Sequence, residues 1–202
     1  MSAIVKPRYT LEEYFELERT SEEKYEYFNG EVFCMSGTTR NHSLIAGNIL
    51  ATLKSALRAQ GWEVHGPDLR VRTPGLPPYR YPDVSVVCGK AEFEQIGGLD
   101  VLTNPVLIIE VLSPSTEAFD RGDKFTYYKS IPSFREYLLV AQHRPHVTHY
   151  FKQDDGKWNY EEFNDLGDTV DLSSVDCALS LGEFYREVAF PPEIQPPIIQ
   201  PH

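Results

Sequence analysis

The stretch NPVLIIEVLSPS, residues 104–115, constrains the chain more than any other. Val106, Leu107, Ile108 and Ile109 form an apolar run, Glu110 interrupts it, and Val111 and Leu112 resume it. Such a run reads as a central strand buried on both faces. A carboxylate inside it is costly unless a cation pairs with it or it ligates a metal. Whatever the fold is, it must bring a partner to Glu110.

At 202 residues the chain suits one domain with a sizeable core. It is 41% hydrophobic and 24% charged, the composition of a soluble globular protein. No apolar run approaches the ~20 residues of a membrane span, so no membrane partner is expected. The opening MSAIVKPRYT has no apolar secretory core. Cys34, Cys88 and Cys177 are far apart and odd in number, which argues for a reducing compartment and against a disulfide framework or zinc knuckle. A cytoplasmic protein is expected. Thirty acidic residues against nineteen Lys and Arg give a net charge of -11, which weighs against tight non-specific phosphate binding without a local basic patch. Acidic residues gathered at a cation site would change that balance locally.

Along the chain, Thr10 and Glu13 in TLEEYFELERT predict a capping box opening a short helix. Asn29-Gly30 between YEYF and EVFCM predicts a β-hairpin. Leu44, Ile45, Ile49, Leu53, Ala56 and Leu57 recur at helical spacing, predicting a long helix over 41–60 that Gly61 stops. WEVHGPDLRVRT, YPDVSVVCG and PVLIIEVLS read as three strands, joined by PGLPPY and GKAEFEQIGGLD as connections. STEAFDRGDKFTYYKSI reads as a helix whose first turn Gly122 weakens. FREYLLVAQ, HVTHYFKQ and KWNYEEF are further strands, the last two joined by Asp155-Gly156, and LGEFYREV is a short helix. The expected fold class is α/β (α+β), a central mixed β-sheet flanked by helices over residues 1–190. The segment 191–202 is a proline-rich tail.

Asp83 in YPDVSVV and Glu110 in LIIEVLS occupy comparable places on neighbouring strands. Pro82 marks a strand start or bulge, since proline donates nothing to a ladder. An Asp and a Glu projecting into one pocket make a hard-oxygen site suited to magnesium or manganese. The residues alone leave ordinary readings open: Asp83 as a solvated turn residue, and Glu110 facing water or paired with Arg70, Arg72 or Arg121.

PD, 26 intervening residues, EVLSPST, then DRGDKFTYYKS and REYLLV resemble the Uma family of endonucleases in the restriction-endonuclease-like PD-(D/E)XK superfamily. YFNGEVFCMSG and NHSLIAGNIL extend the resemblance over roughly residues 10–150. It implies a restriction-endonuclease-like core in which Asp83, Glu110 and the main-chain carbonyl of Val111 hold Mg2+ or Mn2+. The superfamily pattern expects a lysine two residues after the Glu, where this chain has Leu112. By the resemblance the lysine has moved to the following helix as Lys124, which shares a helical face with Tyr127 and Tyr128. Its ordinary reading is a solvated surface lysine.

Glu31, after the hairpin turn, and His42, at the start of the long helix, also fall in motifs of the resembling family. A cross-hairpin pair is the structural reading of Glu31, and a cap or packed residue that of His42. A helix start favours neutral imidazole. His143, His146 and His149 are three apart and would alternate faces in a strand, so they read as surface residues. Tyr79, Tyr81, Tyr127 and Tyr128 are candidates for stacking on bases, or core residues. No P-loop, GxGxxG, GxSxG or paired CxxC is present, which removes most support for nucleotide-cofactor enzymes and serine hydrolases.

The expectation is therefore a metal-dependent nuclease acting on DNA. Asp83 and Glu110 would hold the metal, and Lys124 would orient water or stabilise the transition state. The alternatives are a catalytically inactive binding module on the same fold and a hydrolase of smaller phosphoesters. Cutting both strands needs two sites, which points to a homodimer.

Overall fold

The computed structural model describes residues 8–190 apart from Ser36, Leu76 and Gly97, so the tail expected at 191–202 lies outside the described residues. Helix α1 (Leu11–Thr20) opens on the expected capping box: Thr10 accepts from the Glu13 N–H, and the Glu13 carboxylate accepts from the Thr10 N–H at 2.7 Å. Strands β1 (Tyr25–Phe28) and β2 (Glu31–Cys34) form the hairpin, turning through Asn29 at φ 47° and Gly30 at φ 85°. Two consecutive positive φ values match a type I′ turn, which Asn-Gly adopts at little cost.

Helix α2 (Arg40–Ala56) is capped by Thr39, whose hydroxyl accepts from the His42 N–H. Ile45, Ile49 and Leu53, four residues apart, are fully buried on one stripe. Each contributes roughly 1.5–3 kcal/mol of burial. The helix stops at Ala56, short of the expected Gln60, and turns run on to Gly61 at φ 68°.

The central sheet runs β12-β11-β10-β9-β6-β3. Its members are β3 (Glu63–His65), β6 (Val84–Val87), β9 (Leu107–Leu112), β10 (Glu136–Ala141), β11 (Val147–Lys152) and β12 (Trp158–Phe163). Only the β9–β10 pair is parallel, so the sheet is mixed as expected. A second sheet, β5-β4-β8-β7, comprises β4 (Arg70–Arg72), β5 (Tyr79–Arg80), β7 (Phe93–Ile96) and β8 (Leu99–Leu102). A last hairpin pairs β13 (Thr169–Leu172) with β14 (Cys177–Ser180), ahead of a short helix Leu181–Phe184.

Three sequence expectations change. WEVHGPDLRVRT is two strands in different sheets, because Gly66-Pro67 breaks the run and proline cannot continue a ladder. GKAEFEQIGGLD is no mere connection: β7 and β8 form a hairpin turning at Gly98, φ 80°. Their mostly exposed side chains gave little apolar alternation to read. The third concerns the histidines. His146 and His149 are buried, with only His143 exposed, because they lie in and beside β11, an interior strand between β10 and β12. His146 hydrogen-bonds Asn164 at 2.8 Å, and His149 packs 3.8 Å from the Glu136 carboxylate.

Strand β9 is buried along its whole length. Leu107, Ile109 and Val111 pack with α2 on one face of the sheet. Ile108 and Leu112 pack on the other with Phe125 and Tyr128 of the helix over residues 117–129. Glu110 has the parity of Ile108 and Leu112, so it faces that helix.

Candidate active site

The helix over residues 117–129 carries the partner that Glu110 requires. Its middle turn, Asp120–Lys124, is π-helical and includes Gly122, the residue that made this segment hard to read. Such wide turns recur at functional sites. Lys124 is 1% exposed, and its Nζ lies 2.9 Å from Glu110 Oε1, 3.3 Å from Glu26 Oε2 and 3.3 Å from Asp120 Oδ1. The Tyr128 hydroxyl, one turn on, donates to the same Glu110 oxygen at 2.9 Å. Burial works against the lysine's charge, yet Glu110, Glu26 and Asp120 outweigh it and hold the ammonium well above the ordinary lysine range. Burial pushes the Glu110 carboxyl up, with Lys124 opposing and Asp120, Asp83 and Glu26 adding to the rise. Lys124 is thus a fixed buried cation, not the solvated surface lysine of its ordinary reading.

Asp83 precedes β6. The register Val84↔Ile109 places it beside Glu110, on the neighbouring strand. Its Oδ2 accepts from the Val111 N–H at 2.7 Å, a bond that ties the start of β6 to β9 where Pro82 cannot donate. His42 enters from the first turn of α2, with Nε2 3.4 Å from Asp83 Oδ2. Burial lowers the imidazole's affinity for protons. The Asp83 hydrogen bond and charge, with Asp120, more than offset this and raise it above the usual histidine value. A carboxylate in contact thus favours the protonated ring, where the start of a helix favours the neutral one.

Asp83, Glu110, Val111, Lys124 and His42 converge on one cleft of about 880 Å³, whose described lining also includes Asp120. Glu31 does not line it; it sits at the first position of β2 opposite Phe28. The hairpin residue that reaches the lysine is Glu26, on β1. Its other oxygen accepts from the Tyr81 N–H at 2.8 Å, so it links the lysine to the segment leading into Asp83. Sequence reading missed Glu26 because an acidic residue in a short hairpin strand carries no local signal. Asp120 was readable as an i,i+4 partner of Lys124. It is buried, its Oδ1 has no aligned hydrogen bond despite the nearby ammonium, and burial raises its carboxyl.

Of the tyrosines proposed for stacking, Tyr81 alone is among the described lining residues of the cleft. Tyr79, Tyr81 and Tyr128 are buried, and Arg80 lies over the Tyr127 ring at 4.8 Å. The arginines offered as partners for Glu110 pair with other residues: Arg70 with Glu18, Arg72 with Glu94 and Arg121 with Glu117.

Both polar contacts to Glu110 fall on Oε1 and both to Asp83 on Oδ2. Among the described residues, Glu110 Oε2 and Asp83 Oδ1 have no hydrogen-bond partner. Two adjacent carboxylates, each with an uncommitted oxygen, fit a hard divalent cation that completes its shell with water and substrate oxygens. No group of three or more His, Cys, Asp or Glu side chains among the described residues forms a metal-holding cluster. Magnesium does not require one, because it usually takes one or two carboxylates. Among the described residues no helix is long and apolar enough to cross a membrane.

A family model described as "Uma2: Putative restriction endonuclease" matches residues 11–182. Two proteins of Synechocystis sp. (strain ATCC 27184 / PCC 6803 / Kazusa) are similar along most of their length. Uncharacterized protein slr1290 is 35% identical over 187 residues, covering 91% of this chain and 95% of the relative. Uncharacterized protein sll1609 is 34% identical over 163 residues, covering 81% and 90%. A crystal structure described as a "putative nuclease belonging to DUF820" from Anabaena variabilis ATCC 29413 superposes with a TM-score of 0.68 at 20% identity, covering 88% of this chain and 97% of that one. At that identity the likeness establishes a shared fold.

Proposed function

The chain belongs to the Uma2 family, whose model is described as "Putative restriction endonuclease", and on that premise we propose that it is a Mg2+- or Mn2+-dependent nuclease hydrolysing phosphodiester bonds of DNA. The observation that carries the reading is the buried lysine 2.9 Å from a strand carboxylate, beside a second carboxylate on the adjacent strand. Asp83, Glu110 and the Val111 carbonyl would hold the cation. Bound there, it would acidify water and polarise a phosphoryl oxygen.

The chain's own residues supply the rest. Lys124, held charged by three carboxylates, places a fixed cation beside Glu110, where negative charge grows on a phosphate under attack. Because Lys124 keeps its proton, it orients and neutralises and does not act as a base. Glu26 and Asp120 are positioning residues that fix the ammonium from opposite elements, the β1 strand and the helix turn. His42 steadies Asp83 at the mouth of the site. The geometry favours catalysis over an inert scaffold, since a buried charge cluster costs stability that an apolar replacement would not.

The test is scission of labelled DNA oligonucleotides by purified protein with Mg2+ or Mn2+, beside Glu110→Gln and Lys124→Met. The wild type should cut, and Glu110→Gln should be slower by on the order of 10²-fold or more. Equal rates, or no scission under either metal, would remove the proposal.

A further inference from the structure

The walls of the cleft carry a second message. Lys124 is buried among three carboxylates at the floor, and Lys24, the other lysine in the described lining, is paired with Asp68. His42 aside, the remaining described wall carries no charged side chain. Thr39, Ser43, Ser113 and Thr116 present hydroxyl-bearing residues, and Met35, Ala46, Leu50, Pro67 and Pro114 present apolar ones. Against this stands the acidic floor of Asp83, Glu110 and Asp120, in a chain of net charge -11.

A duplex is held chiefly through its phosphates, one negative charge per ~1.7 Å of axis, by lysines and arginines that displace counterions. This cleft has no uncommitted lysine or arginine among its described lining residues to do so. It does offer apolar surface, which a stacked duplex cannot use because its base faces are covered by their neighbours. An unstacked nucleotide presents one phosphate to the floor and a bare base face to an apolar wall. The volume of about 880 Å³ is on the scale of small-ligand pockets, ~300–1,000 Å³.

We infer that the substrate of this site is single-stranded or locally unpaired nucleic acid, entered one or two nucleotides at a time, and not an intact duplex. The inference rests on the nuclease reading for the identity of the floor, but its test does not depend on turnover. Gly47 provides the handle. It lies on the α2 face lining the cleft, and a Cβ added there meets nothing within 4 Å. Gly47→Phe should therefore narrow the cleft while improving helix propensity.

The experiment is fluorescence anisotropy of a labelled 12-nucleotide DNA single strand, and of the same strand annealed to its complement, with full-chain protein and Mn2+ over a range of salt. Scission is read from the same samples. The expected result is single-strand binding at least tenfold tighter than duplex, a log-log salt slope shallower than about -1, and at least tenfold weaker single-strand binding by Gly47→Phe with its thermal midpoint retained. Duplex binding as tight or tighter, no binding of either, a steep salt slope, or indifference to Gly47→Phe would overturn it. Single-strand preference without scission would sustain this inference and remove the nuclease reading instead.

Discussion

Lys124→Met is the sharpest perturbation of the charge cluster. Lys124 is 1% exposed, and its ammonium lies 2.9 Å from Glu110 and 3.3 Å from each of Glu26 and Asp120. Removing it leaves three buried carboxylates facing one another with their common counter-ion gone. Deleting one partner of a buried ion pair costs about 3–5 kcal/mol. At ~2–4 °C per kcal/mol for a chain of this length, the thermal midpoint should fall by roughly 6–20 °C. Urea unfolding at neutral pH followed by circular dichroism reads the loss directly. Glu26→Gln alone should cost no more than about 1 kcal/mol, since the amide oxygen can still accept from the Tyr81 N–H and one repulsive charge is gone. The double variant should then be more stable than the sum of the singles by about 1–3 kcal/mol. A Lys124→Met protein within ~0.5 kcal/mol of wild type, the ordinary range for a surface substitution, would show that the lysine is not in the cluster.

Three further outcomes follow from single contacts. Burial holds His149 down at about 4 against an ordinary 6.5, so at neutral pH it is uncharged and makes no ion pair with Glu136. Between those values the unfolded chain binds the extra proton, so stability is full above pH 6.5 and falls toward pH 4 by about 3 kcal/mol. His149→Phe should flatten that slope in urea midpoints taken against pH, and an unchanged slope would assign it to other groups. Gly30→Ala should cost about 1 kcal/mol because its φ of 85° is unfavourable for any side chain, and a neutral result would contradict the turn. Tyr128→Phe takes a 2.9 Å donor from Glu110 and should cost roughly 1–3 kcal/mol in the same unfolding assay. No loss there would mean that the hydroxyl is not bonded to the carboxylate.

Local chemistry made much of the fold legible. The Thr10 capping box, the Asn29-Gly30 turn and the apolar stripe of α2 are short-range signals, and each element formed where its signal lay. The β7–β8 hairpin and the split at Gly66-Pro67 were misread because the sheet to which a short strand belongs is settled by distant partners. The site divides the same way. Asp83 and Glu110 were legible as carboxylates on neighbouring strands and Lys124 through the family resemblance, and the structure brings all three to one cleft. Glu26 was invisible because its role exists only through a lysine 98 residues away in sequence, across the fold. The buried state of Tyr79, Tyr81 and Tyr128 was likewise decided by packing, against Arg70 and the Glu110 cluster, and not by their residue type.

The proposal that Asp83 and Glu110 together hold a divalent cation is tested by electron paramagnetic resonance titration of Mn2+. The wild-type protein should bind Mn2+, and binding should be lost in both Asp83→Asn and Glu110→Gln while each variant stays folded. Binding that persists unchanged in both would contradict it.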